Sequence, residues 1–143
     1  MKRFQFPLDR VRRWREEQAT LEELKLEGLY GRNTALEDEK ARAAEARASS
    51  EREVLGRDSI DAGELQALDA FRRHVRVKTG QIETRQRELR GEIEQQRVRL
   101  MEAQRRAELL ERLKKKKFEE WRTLADRQEE AVAGELYLAK WRR

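Results

Sequence analysis

The chain has 143 residues, of which 44% are charged and 37% hydrophobic, with 34 basic residues facing 29 acidic ones. A typical soluble domain is about 25% charged, so this composition excludes an ordinary globular core. Disorder or a long helix with a thin apolar seam would both fit. The net charge is only +5 and glycine and proline are scarce, whereas disorder favours high net charge. The abundant Glu, Arg, Ala, Leu and Gln are good helix formers and favour a long helical structure.

The sequence also limits the compartments in which the protein is expected. Cysteine is absent, so disulfides and thiolate chemistry are excluded, as suits a reducing cytoplasm. No stretch approaches the ~18 apolar residues of a membrane span. Residues 1–7 lack the apolar run of a signal peptide. We therefore expect a cytoplasmic protein.

The first predicted helix covers about residues 7–56. Pro7, the only proline, suits a first helical turn, and Gly56 ends the helix before a turn at about residues 57–60. Its apolar pattern is irregular and changes register along the helix. Residues 28–33 contain two glycines, and Thr34 with Glu37 could cap a fresh helix, so a break is the alternative to the continuous, kinked helix that we expect. One register contains Phe4, Leu8, Val11 and Gln18, and a shifted one contains Leu21, Leu24, Gly28, Gly31 and Ala35.

The second predicted helix covers about residues 61–141, with Asp61 as its cap and Glu64 completing a capping box. Steps of three and four residues from Leu65 reach Leu138 without a break, and this spacing is typical of a coiled coil. Polar seam residues, which include Arg72, Gln86, Gln96 and Gln128, would fix the register. The apolar seam positions are Leu65, Leu68, Val75, Ile82, Leu89, Ile93, Leu100, Ala103, Ala107, Leu110, Trp121, Leu124, Ala131 and Leu138.

The short link predicts an all-α fold, with two long helices in an antiparallel coiled-coil hairpin that forms a single domain over residues 1–143. The second helix is longer and should overhang the N-terminus. If Gly56 lies opposite Glu64, Leu8 lies opposite Arg112, and residues beyond Leu113 have no cover. An uncovered apolar seam predicts a binding partner.

We find no pattern of residues that supports catalysis. His74 is the only histidine and lies among arginines, with no nucleophile or metal-ligand partner at a useful spacing. The carboxylates are explained by ion pairs four residues apart on helix surfaces. The sequence therefore predicts a protein that is not an enzyme and has no catalytic, metal or cofactor site and no small-molecule substrate.

A basic cluster lies on the predicted second helix, close to the point beyond which the first helix would no longer cover it. It has seven positive charges against Glu108 and Glu111, a surplus equal to the +5 of the whole chain. It fits a solvated face or a dock for an acidic protein better than a nucleic-acid site, because no recognised nucleic-acid-binding fold accompanies it. The cluster comprises Arg105, Arg106, Arg112, Lys114, Lys115, Lys116 and Lys117.

Aromatic side chains concentrate towards the two termini, which an antiparallel hairpin brings together. Because aromatic residues are enriched at binding hot spots, we expect a protein-binding end there. Near the turn, Phe71 lies one step off the seam between Leu68 and Val75, where it either shields the seam or forms an exposed contact. The terminal aromatic residues are Phe4, Phe6, Trp14, Phe118, Trp121, Tyr137 and Trp141.

Two terminal segments resemble a known family. The first is Phe4-Gln5-Phe6-Pro7-Leu8-Asp9-Arg10-Val11, followed by Arg13-Trp14-Arg15-Glu16-Glu17-Gln18. It resembles the start of FliJ-type flagellar export proteins, which open with an aromatic-x-Phe-x-Leu-x-x-Val-Leu pattern. The second is Glu120-Trp121-Arg122-Thr123-Leu124-Ala125-Asp126-Arg127-Gln128, which is similar to that family's Trp-x-Thr-Leu-x-Asp-Arg-Gln-like segment.

The resemblance implies a stalk-like adaptor of the bacterial flagellar type III export apparatus. Members link a hexameric export ATPase to the cytoplasmic domain of the export-gate membrane protein and help to recycle export chaperones. The resemblance implies a chain that is monomeric in isolation and cytoplasmic, peripherally associated with the inner membrane at the flagellar base. A virulence type III secretion counterpart and a generic coiled-coil scaffold or dimer remain open.

Specific contact residues are also implied by the resemblance. Phe71 and Val75, together with Leu68, match the face that contacts the gate, although Lys78 and Ile82 depart from the family pattern there. The paired termini correspond to the end that enters the ATPase ring. The residues expected at that end are Phe4, Phe6, Trp121, Leu124, Arg127, Gln128, Tyr137 and Trp141.

Overall fold

The structure, a computed structural model, describes residues 2–142 and consists of two α-helices joined by a short turn. Helix α1 spans Asp9–Leu55 and has 47 residues; helix α2 spans Ala62–Trp141 and has 80. The helices pack against each other in opposite directions, so the predicted all-α antiparallel hairpin with a longer second helix is confirmed. Within residues 2–142, neither helix has a stretch long and apolar enough to cross a membrane.

The chain divides into two compact units, each of which contains part of both helices. The terminal unit comprises Met1–Glu22 with Leu100–Arg143, and the turn unit comprises Glu23–Arg99. Polar contacts fix the pairing of the helices within each unit. In the terminal unit, Lys114 Nζ lies 3.0 Å from Asp9 Oδ1. In the turn unit, Arg72 Nε lies 2.8 Å from Glu51 Oε1.

Helix α1 begins two residues later than its sequence predicted. The backbone N–H of Asp9 donates to the carbonyl of Phe6, and that of Arg12 donates to the carbonyl of Leu8. Pro7 therefore lies in the turn that leads into the helix, where its lack of an N–H breaks no helical hydrogen bond. Asp9 places a carboxylate in the first turn, where the helix dipole favours negative charge.

The glycine-containing segment at residues 28–33 is helical throughout, so the alternative of a break is wrong. Thr34 does not cap a new helix; its hydroxyl donates to the carbonyl of Tyr30, four residues earlier, at 3.1 Å. This is the bond that a threonine inside a helix makes. The good helix formers on both sides outweigh the propensity lost at Gly28 and Gly31.

Gly56 ends α1, as predicted, and a close approach explains the residue. Its N–H donates to the carbonyl of Arg52, and an added Cβ would lie only 2.6 Å from that oxygen. Asp61 caps α2 through a 3.4 Å bond from the N–H of Gly63. The carboxylate of Glu64 accepts a 2.7 Å bond from Arg57 instead of completing the predicted capping box.

The predicted seam of α2 is buried through most of the turn unit, including Leu68, Val75, Ile82, Gln86, Leu89, Ile93 and Gln96. Two of its positions are wrong. Leu65 is exposed because α1 ends at Leu55 and leaves no helix opposite it. Leu124 is exposed and Ala125 is buried, because the packed residues step by four after Trp121 where a step of three was predicted.

The predicted register of α1 is wrong over most of the helix. Leu21, Leu24, Gly28, Gly31 and Ala35 all point to solvent. Leu8 and Val11 are also exposed, whereas Phe4 and Gln18 are partly covered. The face that meets α2 follows an unbroken spacing of three and four residues through largely polar positions. These are Arg12, Arg15, Ala19, Glu22, Leu26, Leu29, Asn33, Leu36, Lys40, Ala43, Arg47, Ser50 and Val54.

Polar residues on this interface find partners across it. Gln86 is buried, and its Nε2 donates to Glu37 Oε1 at 2.7 Å. Lys40 pairs with Glu83 at 3.1 Å. Among residues 2–142, no buried side-chain nitrogen or oxygen is left without a hydrogen bond. A polar α1 face is therefore compatible with packing, because its long side chains reach to the edges of the seam.

Candidate functional site

The single histidine of the chain, which was considered as a catalytic candidate, lies on the helix surface. His74 is exposed. Within residues 2–142, no group of three or more His, Asp or Glu side chains is placed to hold a metal ion. The candidate sites are the exposed apolar and basic surfaces of the two units.

In the turn unit, the structure separates the three residues that the resemblance places at the export gate. Leu68 and Val75 are buried in the seam, with 4% and 6% of their surface exposed. Phe71 lies between them along the chain and is only partly covered. Of the three residues, Phe71 therefore has the most accessible side chain.

A shallow groove runs beside Phe71 between the two helices of the turn unit. Its volume is about 350 Å³, and Ala43 and Ala46 form part of its floor opposite His74 and Val75. Lys78 and Glu39, which pair at 3.8 Å, lie at the same groove. The small alanines of α1 thus leave a recess that an apolar side chain of a partner could enter.

In the terminal unit, aromatic residues hold the N-terminal segment to α2. The ring centroid of Phe4 lies 5.3 Å from that of Phe118 and 5.8 Å from that of Trp121. Phe118 and Trp121 stack on each other, also at 5.8 Å. Phe6 is buried. Phe4, Phe118 and Trp121 therefore form a packing contact within the chain, and Phe118 is still 42% exposed.

The C-terminal part of α2 is uncovered, but over a shorter stretch than predicted. The sequence placed the end of coverage at Leu113, whereas Trp121 is partly covered and Ala125 is buried. Coverage extends further because residues ahead of α1, above all Phe4, pack against α2. Every residue from 126 to 142 is exposed. Arg127 and Gln128 lie there, as do Tyr137 and Trp141, whose rings are 6.2 Å apart.

An ion-pair network joins the helices of the terminal unit. Asp9 accepts hydrogen bonds from Arg12 at 2.8 Å and from Lys114 at 3.0 Å, and Arg12 also reaches Glu111 at 3.3 Å. The bond from Arg12, followed by that from Lys114, lowers the pKa of Asp9 to about 2. No pattern within either helix predicts this network, because Asp9 and Lys114 are 105 residues apart.

The basic cluster is only partly neutralised. Lys114 pairs with Asp9, Arg106 with Glu102, Arg112 with Glu108, and Lys117 with Glu120. No carboxylate in the described part of the chain lies within ion-pairing distance of Arg105, Lys115 or Lys116. The terminal unit has 18 basic and 13 acidic residues, leaving +5, whereas the turn unit has 16 of each. All of the net charge therefore belongs to the terminal unit.

Together these features define the protein as a coiled-coil-like helical hairpin that presents apolar and basic surface. Compared with known proteins, the chain matches no family model, no curated protein sequence and no solved structure. Its fold and its surfaces are therefore the grounds on which its function is inferred.

Proposed function

We propose that the protein is a non-enzymatic, stalk-like adaptor of a bacterial flagellar type III export apparatus, linking the hexameric export ATPase to the export gate. The observation that carries the proposal is that each unit of the hairpin has exposed apolar surface that the chain itself does not cover. A protein that binds one partner through each unit can link them without chemistry of its own. The resemblance of the two terminal segments to FliJ-type proteins supplies the identity of the partners.

The terminal unit would bind the ATPase through the uncovered end of α2. Leu124, Tyr137 and Trp141 are between 59% and 73% exposed, and Arg127 and Gln128 lie on the same segment. Large apolar side chains in water are unfavourable unless a partner covers them. Aromatic residues supply much contact area for little loss of side-chain entropy. This segment is therefore the better candidate, while Phe4, Phe6 and Trp121 hold the N-terminal segment in place.

The turn unit would bind the cytoplasmic domain of the export gate through Phe71 and the groove beside it. Leu68 and Val75 contribute by positioning Phe71, because their own side chains are buried in the seam. Export chaperones would be further partners. The protein would act in the cytoplasm, peripherally associated with the inner membrane through the gate.

Binding measurements with both partners test the proposal. The purified chain is expected to bind the export ATPase and the isolated cytoplasmic domain of the gate. The Phe71→Ala variant should lose gate binding and keep ATPase binding. The double variant Tyr137→Ala with Trp141→Ala should show the reverse.

A matched control for both variants is Val77→Ala, which removes an exposed apolar side chain of the turn unit that the proposal does not use. It should bind both partners like the wild type. If the Phe71 and Tyr137–Trp141 variants also bind both partners normally, the assigned surfaces are wrong. If the wild type binds neither partner, the proposed function itself is wrong.

A coiled-coil scaffold that pairs with itself is the second candidate, and the exposed C-terminal segment of α2 favours it too. Two such segments could bury Tyr137, Leu138 and Trp141, which share one side of the helix, against each other. Sedimentation over a range of concentrations separates the two candidates. The adaptor should sediment as a monomer, whereas a concentration-dependent dimer that the Tyr137–Trp141 double variant abolishes would identify the scaffold.

A further inference from the structure

The outer face of α2 in the terminal unit combines positive charge with exposed apolar side chains. Between residues 100 and 116 the partly covered residues are Leu100, Ala103, Ala107, Leu110, Glu111, Leu113 and Lys114. Residues on the opposite side of a helix with this spacing face away from the hairpin partner. On that side lie the exposed residues Met101, Arg105, Leu109, Arg112, Lys115 and Lys116, which we name the outer basic face.

The positive charge of the outer basic face is not neutralised within the hairpin. Three acidic residues lie in this stretch. Glu102 pairs with Arg106, which is not part of this face, and Glu111 pairs with Arg12 of α1. The third, Glu108, pairs with Arg112. Arg105, Lys115 and Lys116 have no carboxylate within 4.0 Å in the portion of the chain that is described. Three cations therefore remain available to an anionic partner.

The apolar side chains on this face identify the kind of partner. Met101 is 69% exposed and Leu109 is 55% exposed. Leu109 lies between Arg105 and Arg112, and Met101 lies about one turn before Arg105. A nucleic-acid backbone would satisfy the cations but would leave these side chains in water. The surface of an anionic membrane offers phosphate headgroups to lysine and arginine and an apolar boundary to methionine and leucine.

We propose that the outer basic face binds the surface of an anionic lipid bilayer, with α2 lying parallel to the membrane plane. The face from residue 101 to residue 116 is about 22 Å long at 1.5 Å per residue, so all six side chains can reach one flat surface. The long stems of Lys115 and Lys116 lie along the apolar boundary while their ammonium groups stay among the headgroups. The proposal does not depend on the export function, because it uses neither the groove at Phe71 nor the C-terminal aromatic pair.

Co-sedimentation with lipid vesicles tests this proposal. The full-length protein is expected to bind vesicles of phosphatidylcholine mixed with phosphatidylglycerol and not to bind vesicles of phosphatidylcholine alone, and added salt should weaken binding. Each cation at an anionic surface strengthens binding by about fivefold. The triple variant Arg105→Gln, Lys115→Gln and Lys116→Gln should therefore bind about a hundredfold more weakly than the wild type.

A matched triple variant lies in the neutral turn unit. Arg85→Gln, Arg90→Gln and Arg99→Gln remove three exposed arginines for which no ion pair is found among residues 2–142, and this variant should bind vesicles at nearly the wild-type level. Leu109→Asn should weaken vesicle binding, whereas Val77→Asn, also at an exposed apolar position, should not. Far-UV circular dichroism checks that every variant remains helical.

Several results would overturn the proposal. One is equal loss of vesicle binding in the two triple variants, because binding would then reflect net charge and not this face. Another is unchanged vesicle binding by Leu109→Asn, because this result would show that the apolar side chain of Leu109 does not contribute to binding. The proposal is also wrong if the wild type does not bind anionic vesicles but binds another anion through Arg105, Lys115 and Lys116. Binding to a polyglutamate peptide would identify the face as a site for an acidic protein, and binding to duplex DNA would identify it as a site for nucleic acid.

Discussion

Asp9 shows how a single side chain can tie the two helices together. Its carboxylate lies in the first turn of α1 and accepts bonds from Arg12 on its own helix and Lys114 on α2. The interaction is partly open to water, so its contribution to stability is modest. Its effect is on alignment, because it fixes which residue of α2 lies opposite the start of α1.

The lowered pKa of Asp9 predicts how stability changes in acid. The pKa falls from its ordinary value of 3.8 to about 2 in the folded chain. The ion pairs therefore contribute fully above about pH 4, and this contribution is lost as the pH falls towards 2, because the unfolded chain then binds a proton more readily. The thermal midpoint of the Asp9→Asn variant should depend less on pH over this interval than that of the wild type.

The control for this measurement is Asp38→Asn, at an exposed position of α1 for which no ion pair is found among residues 2–142. It should retain the wild-type dependence on pH. The pKa of Glu51 is also lowered, by hydrogen bonds from Arg47 and then Arg72. Protonation of Glu51 in acid therefore lowers the stability of the wild type and of both variants alike. If Asp9→Asn and the wild type have parallel curves, the Asp9 network does not contribute.

Substitution of alanine for glycine should change the free energy of unfolding in opposite directions at two positions. At Gly28, in the interior of α1, no heavy atom lies within 4 Å of an added Cβ, so alanine should raise the free energy of unfolding by about 1 kcal/mol through helix propensity. At Gly56 the added Cβ would lie 2.6 Å from the carbonyl oxygen of Arg52, so alanine should lower it. Urea denaturation measures both, and a stabilising Gly56→Ala would contradict the structure of the helix end.

At the scale of the elements, the two helices differ in how their sequences encode burial. The seam of α2 contains large apolar residues at regular spacing, such as Ile82, Leu89 and Ile93, and these are buried. The apolar residues of α1 lie on more than one stripe, and Trp14, Leu21 and Leu24 remain exposed. Helix α1 is thus held by Leu26, Leu29, Leu36 and Ala43 together with polar side chains at the seam edges.

The register of α1 predicts a contrast between two leucine substitutions. Leu89→Ala, in the buried seam of α2, should lower the free energy of unfolding by about 2–3 kcal/mol. Leu24→Ala removes a side chain that is 56% exposed and should change it by less than about 0.5 kcal/mol. Chemical denaturation of both variants checks this prediction. Comparable losses would mean that Leu24 faces α2, as the sequence pattern had indicated.

At the scale of the whole molecule, two truncations should locate the end of the packed structure. Removal of all residues after Asp126 takes away residues 127–142, all of which are exposed, together with the last residue of the chain, and should leave the denaturation midpoint unchanged. Removal of all residues after Lys117 also takes Phe118, Trp121 and the buried Ala125, and should lower the free energy of unfolding by about 2 kcal/mol or more. Equal stability of the two truncated chains would contradict the packing of Phe4 against α2.

Sequence by itself determined the composition class, the two helices with their ends, the antiparallel connection and the seam of α2 through most of the turn unit. These features depend on local signals, such as Gly56 and Asp61 at the turn, and on a regular apolar spacing. The candidate sites were predicted less completely. Phe71 was identified as lying off the seam, but its partial coverage and the groove that it shares with Ala43 and Ala46 were not predicted.

Only the tertiary structure decided which face of α1 turns inward, how far α2 is covered, and which cations stay unpaired. With apolar residues on several stripes, α1 could present more than one face to α2. Contacts between distant residues, such as Asp9 with Lys114 and Glu37 with Gln86, favour one of them. Such contacts depend on the axial position and rotation of one helix relative to the other, and periodicity within a single helix contains no information about either.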